Sequence, residues 1–173
     1  MTMKITGIVM TIIFFAACKN NNNDNNGMTM NATDQQFLQQ VSYSNHDEVA
    51  AAQIASTKGT ADSVKIFAQM MISDHTTAQA SLDSLGGQYN MQLPQGPDSA
   101  HIAFGLLLGT LSGYTFDTTY MSAQVSDHQL TLGAFQNEID NGNNVQVKGY
   151  ATKNLPIIQE HLMMAQRIQT SLH

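Results

Sequence analysis

Four long stretches of this chain place their inward residues in alternating steps of three and four, the spacing of a helix that buries one face. The first helix is expected over residues 34–58, with Leu38, Val41, Asn45, Glu48, Ala52 and Ala55 on its seam, Thr33 or Asp34 as N-cap and Gly59 as stop. The second is expected over 62–85 with Val64, Ala68, Met71, His75, Ala78, Leu82 and Leu85 inward, ending at Gly86-Gly87. A third, over 117–140, carries Met121, Val125, His128, Leu132, Phe135 and Ile139 and stops before Gly142. The fourth, over 145–172, carries Ala151, Asn154, Ile158, His161, Ala165, Ile168 and Leu172, with Asn143 or Asn144 as cap. Pro156 falls inside it, and its missing N–H and ring clash predict a kink or short break. No segment shows the period-two alternation of a strand.

Short links join the first helix to the second and the third to the fourth, which makes each pair antiparallel neighbours. Residues 86–116 separate the pairs, carry Pro94 and Pro97, and hold one apolar stretch, His101 to Leu111, sized for a short helix. That stretch cannot span a bilayer, which takes roughly 20 residues. Two hairpins joined by a long crossover is the connectivity of a ferritin-like bundle. The expected fold is therefore all-α, an antiparallel four-helix bundle over 33–173 with a short helix in the crossover between helices 2 and 3. Fold alone licenses no function.

The N-terminus has a different character. Met1–Lys4 is a short basic start, and Ile5–Ala17 is an apolar run too short for a span but suited to a signal-peptide core. It leads through Phe15-Ala16-Ala17 into Cys18, the one cysteine of the chain, so no internal disulfide can form. This resembles a bacterial lipobox, with Phe15 where Leu is usual. The resemblance implies a signal peptide over 1–17, cleavage before Cys18 and lipidation of its sulfur. The asparagine-rich stretch that follows buries nothing, so residues 18–32 are expected to be a disordered tether. With Lys4 removed, six basic residues face thirteen acidic ones, and the basic residues form no patch. That composition argues against a nucleic-acid partner and leaves membrane attachment to the lipid anchor.

On three seams an acid directly precedes the inward histidine: Asp74-His75, Asp127-His128 and Glu160-His161. Neighbours on a helix point about 100° apart, so only one member of each pair can face squarely inward. Counting ~1.5 Å per residue from the helix ends brings Glu48 level with His75 and His128 with His161, each to roughly 5 Å. Glu48, His75, His128 and His161 are thus candidate metal ligands, with Asp74, Asp127 and Glu160 behind them. The alternative is a buried polar layer whose acids and histidines satisfy one another and fix bundle register. A ferritin-type di-iron cage is excluded, because it needs Glu three residues before His on two helices. Ile72, Val125 and Ile158 stand there instead. Met70, Met71, Met121, Met163 and Met164 lie within two turns of this layer, where thioethers suit copper but also fill core gaps. His46 and Asp47 are expected to face solvent or a neighbour, and His101 to cap the crossover helix. No nucleophile elbow, catalytic triad or phosphate loop is visible.

The run Phe67-Ala68-Gln69-Met70-Met71 through Asp74-His75-Thr76, then Val125-Ser126-Asp127-His128, and Leu155-Pro156 followed by Glu160-His161 resemble the family called domain of unknown function 4142. The likeness spans residues 34–171. It implies a ferritin-like fold and export, with bacterial outer-membrane association, and it supplies no activity. The functional expectation is a lipid-anchored bacterial envelope protein, more an outer- than an inner-membrane one with a periplasmic domain, that acts by binding or as a structural module and not as an enzyme. The alternative is a metal-binding protein that holds zinc, copper or iron in the Glu/His layer.

Overall fold

A computed structural model describes residues 28–172, and all of their regular structure is helical: α1 (Ala32–Lys58), α2 (Asp62–Gln88), α3 (Ser99–Thr110), α4 (Gly113–Asn141) and α5 (Val145–Ser171). The expected signal peptide and Cys18 lie outside the described residues. Helix α1 packs on α2, α4 on α5, α1 on α4 and α2 on α5, while α3 lies against α1 and α4. Contacts at the ends fix the directions. Thr60 and Ala61, in the α1–α2 turn, donate to the Asp117 carboxylate at the start of α4. At the opposite end Asn31, which caps α1, reaches the carbonyl of Asn141. The crossover returns along α1, where Ser42 donates to the carbonyl of Pro94. Two apolar clusters, one centred on Phe67, Met71, Tyr120 and Met121 and the other on Phe37, Leu82, Phe135 and Tyr150, divide the core. The histidine layer lies between them.

Several expected boundaries move, each for a local reason. Helix α1 starts at Ala32 because Asn31 is its N-cap, and Asp34 closes a capping box with it in place of acting as the cap. Residues 28–29, assigned to the tether by composition, are held by the α4–α5 turn: Asn144, itself buried, donates to the carbonyl of Met28. Helix α2 continues through Gly86-Gly87 to Gln88, and the left-handed residue beyond it is Asn90 (φ 53°). Gly86 is needed for space, since a Cβ there would lie 3.0 Å from the returning Leu93 side chain. Helix α3 is capped by Asp98, with His101 one turn in. Helix α5 runs unbroken through Pro156. Pro156 sits on the exposed face with Thr152 one turn before it, so water can serve the carbonyl that the proline leaves without a donor.

Every expected seam residue of α1, α2 and α5 is buried or partly buried. On α4 the stripe shifts by one position: Gln124 and Glu138 are buried, whereas Val125 and Ile139 are only partly so. Both polar residues have buried neighbours that sequence periodicity cannot see, although neither carboxylate oxygen of Glu138 has a hydrogen-bond partner. Gln124 donates to Glu48, and Glu138 lies against Asp34, its carboxyl pushed up to about 8 by burial and by that acid. Glu138 also explains Gly142, where a Cβ would stand 2.6 Å from both the carboxyl carbon and the carbonyl oxygen of Glu138. Gly142→Ala should therefore destabilise the fold by about 1–3 kcal/mol, the usual cost of overpacking, while Gly133→Ala, with open space around it, should not. Equal urea midpoints for the two variants would contradict this.

Candidate metal centre

His75 on α2, His128 on α4 and His161 on α5 meet at the middle of the bundle, each with about 2% or less of its surface exposed. Their ring centroids are 5.4–5.8 Å apart, and one ligating nitrogen from each lies within 4.8 Å of the other two. Three nitrogens each about 2.1 Å from one ion stand about 3.4–3.6 Å apart, so rings whose nitrogens lie within 4.8 Å of one another would close by up to about 1.4 Å to share it.

The hydrogen bonds around the rings decide which nitrogens are free. The Asp83 carboxylate only accepts, so the Gln79 atom 2.9 Å from it is the amide nitrogen. Gln79 Oε1 must then accept from Asn45 Nδ2 at 3.1 Å, which leaves Asn45 Oδ1 to accept from His75 Nδ1–H at 3.0 Å. His128 Nδ1 is 2.8 Å from the Gln124 carbonyl oxygen, which can only accept. His161 Nε2 is 3.1 Å from the Asp74 carboxylate, again an acceptor. Each imidazole therefore donates outward, and its remaining nitrogen carries a lone pair. Those nitrogens, His75 Nε2, His128 Nε2 and His161 Nδ1, are all buried and all without a hydrogen-bond partner.

The electrostatics keep these rings neutral. Burial lowers the pKa of all three, and for His75 the nearby His128 and His161 push it further, well below the ordinary value. Glu48 sits behind His128: its Oε1 is 3.5 Å from the outer nitrogen Nδ1, and its Oε2 accepts from Gln124 at 2.6 Å. Burial raises its carboxyl to about 8. It supports the edge of His128 that faces away from the three lone pairs.

The acids of the three pairs part ways. Asp74 orients His161 across the α2–α5 seam. Asp127 turns from the core into a surface cleft, toward His101, and Glu160 is exposed. Asp47 and His101 prove to be partners: Asp47 is buried, and its Oδ2 lies 3.1 Å from His101 Nδ1. The amide residues Asn45, Gln79 and Gln124 were not legible as site residues, because a buried amide carries no motif of its own. Their one signal was the break that Asn45 makes in the α1 seam. Met71 and Met121 are core residues packed among Phe67 and Tyr120, whereas Met163 is exposed. A cleft of about 350 Å³ between α2 and α5 reaches His75 and His161 past Asn45, Tyr150 and Lys153.

Residues 19–168 match the model of a family described as domain of unknown function (DUF4142). The chain belongs to this family. Among curated proteins the DUF4142 chain has no match. Among solved structures it is similar to the crystal structure of a DUF305 fragment from Deinococcus radiodurans, with a TM-score of 0.72 and 11% identity over 82% of this chain and 98% of that one. At that identity the likeness speaks for the fold of the DUF4142 chain and not for an activity. No described helix is long and apolar enough to cross a membrane.

Proposed function

We propose that this DUF4142 protein binds a borderline transition-metal ion, zinc or copper, through His75 Nε2, His128 Nε2 and His161 Nδ1. One observation carries the reading: three buried imidazoles meet with a nitrogen of each within 4.8 Å of the others, and each ring has one nitrogen without a hydrogen-bond partner while the opposite one is held by an acceptor. A layer kept only for bundle register would satisfy its own polar atoms, since a buried group left unpaired costs about 1–3 kcal/mol. Three neutral imidazoles with outward N–H groups tied to a carboxylate or carbonyl are the ligand arrangement that zinc and copper take. A triad of protein ligands also leaves a fourth position open for water or another ligand.

The setting belongs to the same proposal. The four long helices run in antiparallel pairs with α3 in the crossover, which supports a ferritin-like arrangement. The apolar run ending at Cys18 supports export and lipid anchoring in the bacterial envelope, most readily at the outer membrane. The protein then acts as a tethered metal-binding module.

Calorimetric titration of metal-free protein lacking a histidine tag tests the site. Zinc should bind one per triad, and calcium should not compete. His128→Ala should abolish tight binding, and Asp62→Ala, at an exposed side chain, should leave it intact. Binding that is equal in the two variants would overturn the assignment.

A further inference from the structure

A second group of metal-ligating side chains lies outside the triad, in a cleft of about 380 Å³ walled by α1, α3 and α4. Three elements contribute to it. Asp47 comes from α1, Asp98 and His101 from the N-cap and first turn of α3, and Asp127 from α4. Asp98 Oδ1 is 3.0 Å and Asp47 Oδ2 3.1 Å from the same His101 nitrogen, Nδ1, and Asp127 Oδ2 is 3.8 Å from the other, Nε2. We propose that Asp47, Asp98 and His101, with Asp127 beside them, form a second, carboxylate-rich site for a hard divalent cation such as manganese, distinct from the histidine triad.

The geometry supports a cation in place of a simple ion pair. One Nδ1 proton cannot bond fully to two carboxylates at once, and Asp127 at 3.8 Å is too far for a hydrogen bond. Even a charged His101 leaves three carboxylates against a single positive charge, and the cleft lining contains no lysine or arginine. The carboxylate of Asp47 is almost wholly buried, its Oδ1 accepting from the backbone N–H of Asp98 and its Oδ2 aimed at the imidazole. Its pKa rises to about 6, as burial and the neighbouring acids dictate. A divalent ion taking the place of the Nδ1 proton would meet an imidazole nitrogen and two carboxylate oxygens already within 4.8 Å of one another. His101 is partly exposed, which leaves its outer side open for water to complete the shell. Oxygen-rich sets with one imidazole favour harder ions than three imidazoles do.

The two sites back onto each other. Asp47 and Glu48 are consecutive on α1, as Asp127 and His128 are on α4. In each pair the first residue serves the cleft and the second the core. The inference does not depend on metal binding at the triad.

Manganese alone, titrated into the untagged full chain and followed by the loss of the free-ion paramagnetic signal, tests it. Wild type and His128→Ala should bind one ion with equal affinity. Asp98→Asn, which keeps a competent helix cap, and His101→Gln should each weaken binding by more than about tenfold. Circular dichroism melts of both variants must match wild type, and Asp98→Glu should bind more tightly than Asp98→Asn. Three outcomes would overturn the site: no uptake of manganese, uptake that Asp98→Asn leaves unchanged, or uptake lost in His128→Ala alone.

Discussion

Zinc added to metal-free protein should raise the unfolding midpoint by roughly 8–16 °C, and His128→Ala should erase that rise. A ligand that binds only the native state stabilises by RT ln(1 + [L]/Kd), about 4 kcal/mol when it is present at ~1,000 times its dissociation constant. For a domain of this size each kcal/mol moves the midpoint by roughly 2–4 °C. The shift is large because the unfolded chain spreads the three histidines over α2, α4 and α5 and cannot offer them together. The rise should persist as pH falls through about 6.5 and shrink only at lower pH, because protons displace the metal by occupying the native rings, whose pKa values burial lowers. Differential scanning calorimetry at fixed zinc and varied pH measures both effects. A midpoint that zinc leaves unmoved at neutral pH would mean that the three lone pairs are not a site.

The sequence reveals the position of this layer better than its chemistry. His75, His128 and His161 each sit in a run whose apolar steps of three and four are unambiguous, so their inward direction and common depth follow from helix geometry. Glu48 was placed at the same level by the same count, and it does touch His128. What periodicity cannot give is which ring nitrogen faces in, because that depends on acceptors brought from other helices: Asn45 for His75 and Asp74 for His161. The shift of the α4 stripe to Gln124 and Glu138 escaped for the same reason. A polar residue scores as outward until its buried partner is known.

The cleft was hidden by a different cause. Asp47 next to His46 on α1 reads as facing solvent or an unnamed neighbour, because periodicity predicts the crossover helix but not where it docks. It becomes a wall only when α3 docks on α1, with Lys58 bonding to the carbonyl of Gly109 at one end and Asp47 to the N–H of Asp98 at the other. The helix ends follow the same lesson. Asn31 outcompetes Thr33 as cap of α1 because Asp34 can answer its backbone N–H, a reciprocal bond that depends on their three-residue spacing. Pro156 failed to break α5 because it falls on the water-facing side.

Glu48→Gln should make the metal-free protein more stable at pH 8 by roughly 4–5 kcal/mol, with little change at pH 4.5. The sign follows from the direction of the shift. Burial raises the Glu48 carboxyl from 4.5 to about 8, so between these values the unfolded chain releases its proton freely and the native state does not. Stability due to this group is whole at pH 4.5 and falls by about 1.4 kcal/mol per pH unit as pH rises toward 8. Glutamine is neutral throughout and can still accept from Gln124, so it removes the alkaline loss while keeping the bond. The three histidines act in the opposite sense. Their lowered pKa values mean that the unfolded chain binds protons first, so stability falls as pH drops below about 6.5, by about 1.4 kcal/mol per unit for each ring. In the wild type the carboxyl partly offsets this acid loss between pH 6.5 and 4.5, because the native state holds the Glu48 proton there. Without that counterweight, the Glu48→Gln profile should be flatter than wild type above pH 6.5 and steeper below it. Chemical denaturation at half-unit intervals from pH 4.5 to 8.5 resolves the two limbs. Parallel curves for wild type and Glu48→Gln would show that Glu48 is ionised in the folded core, and that the layer is wetter than its burial indicates.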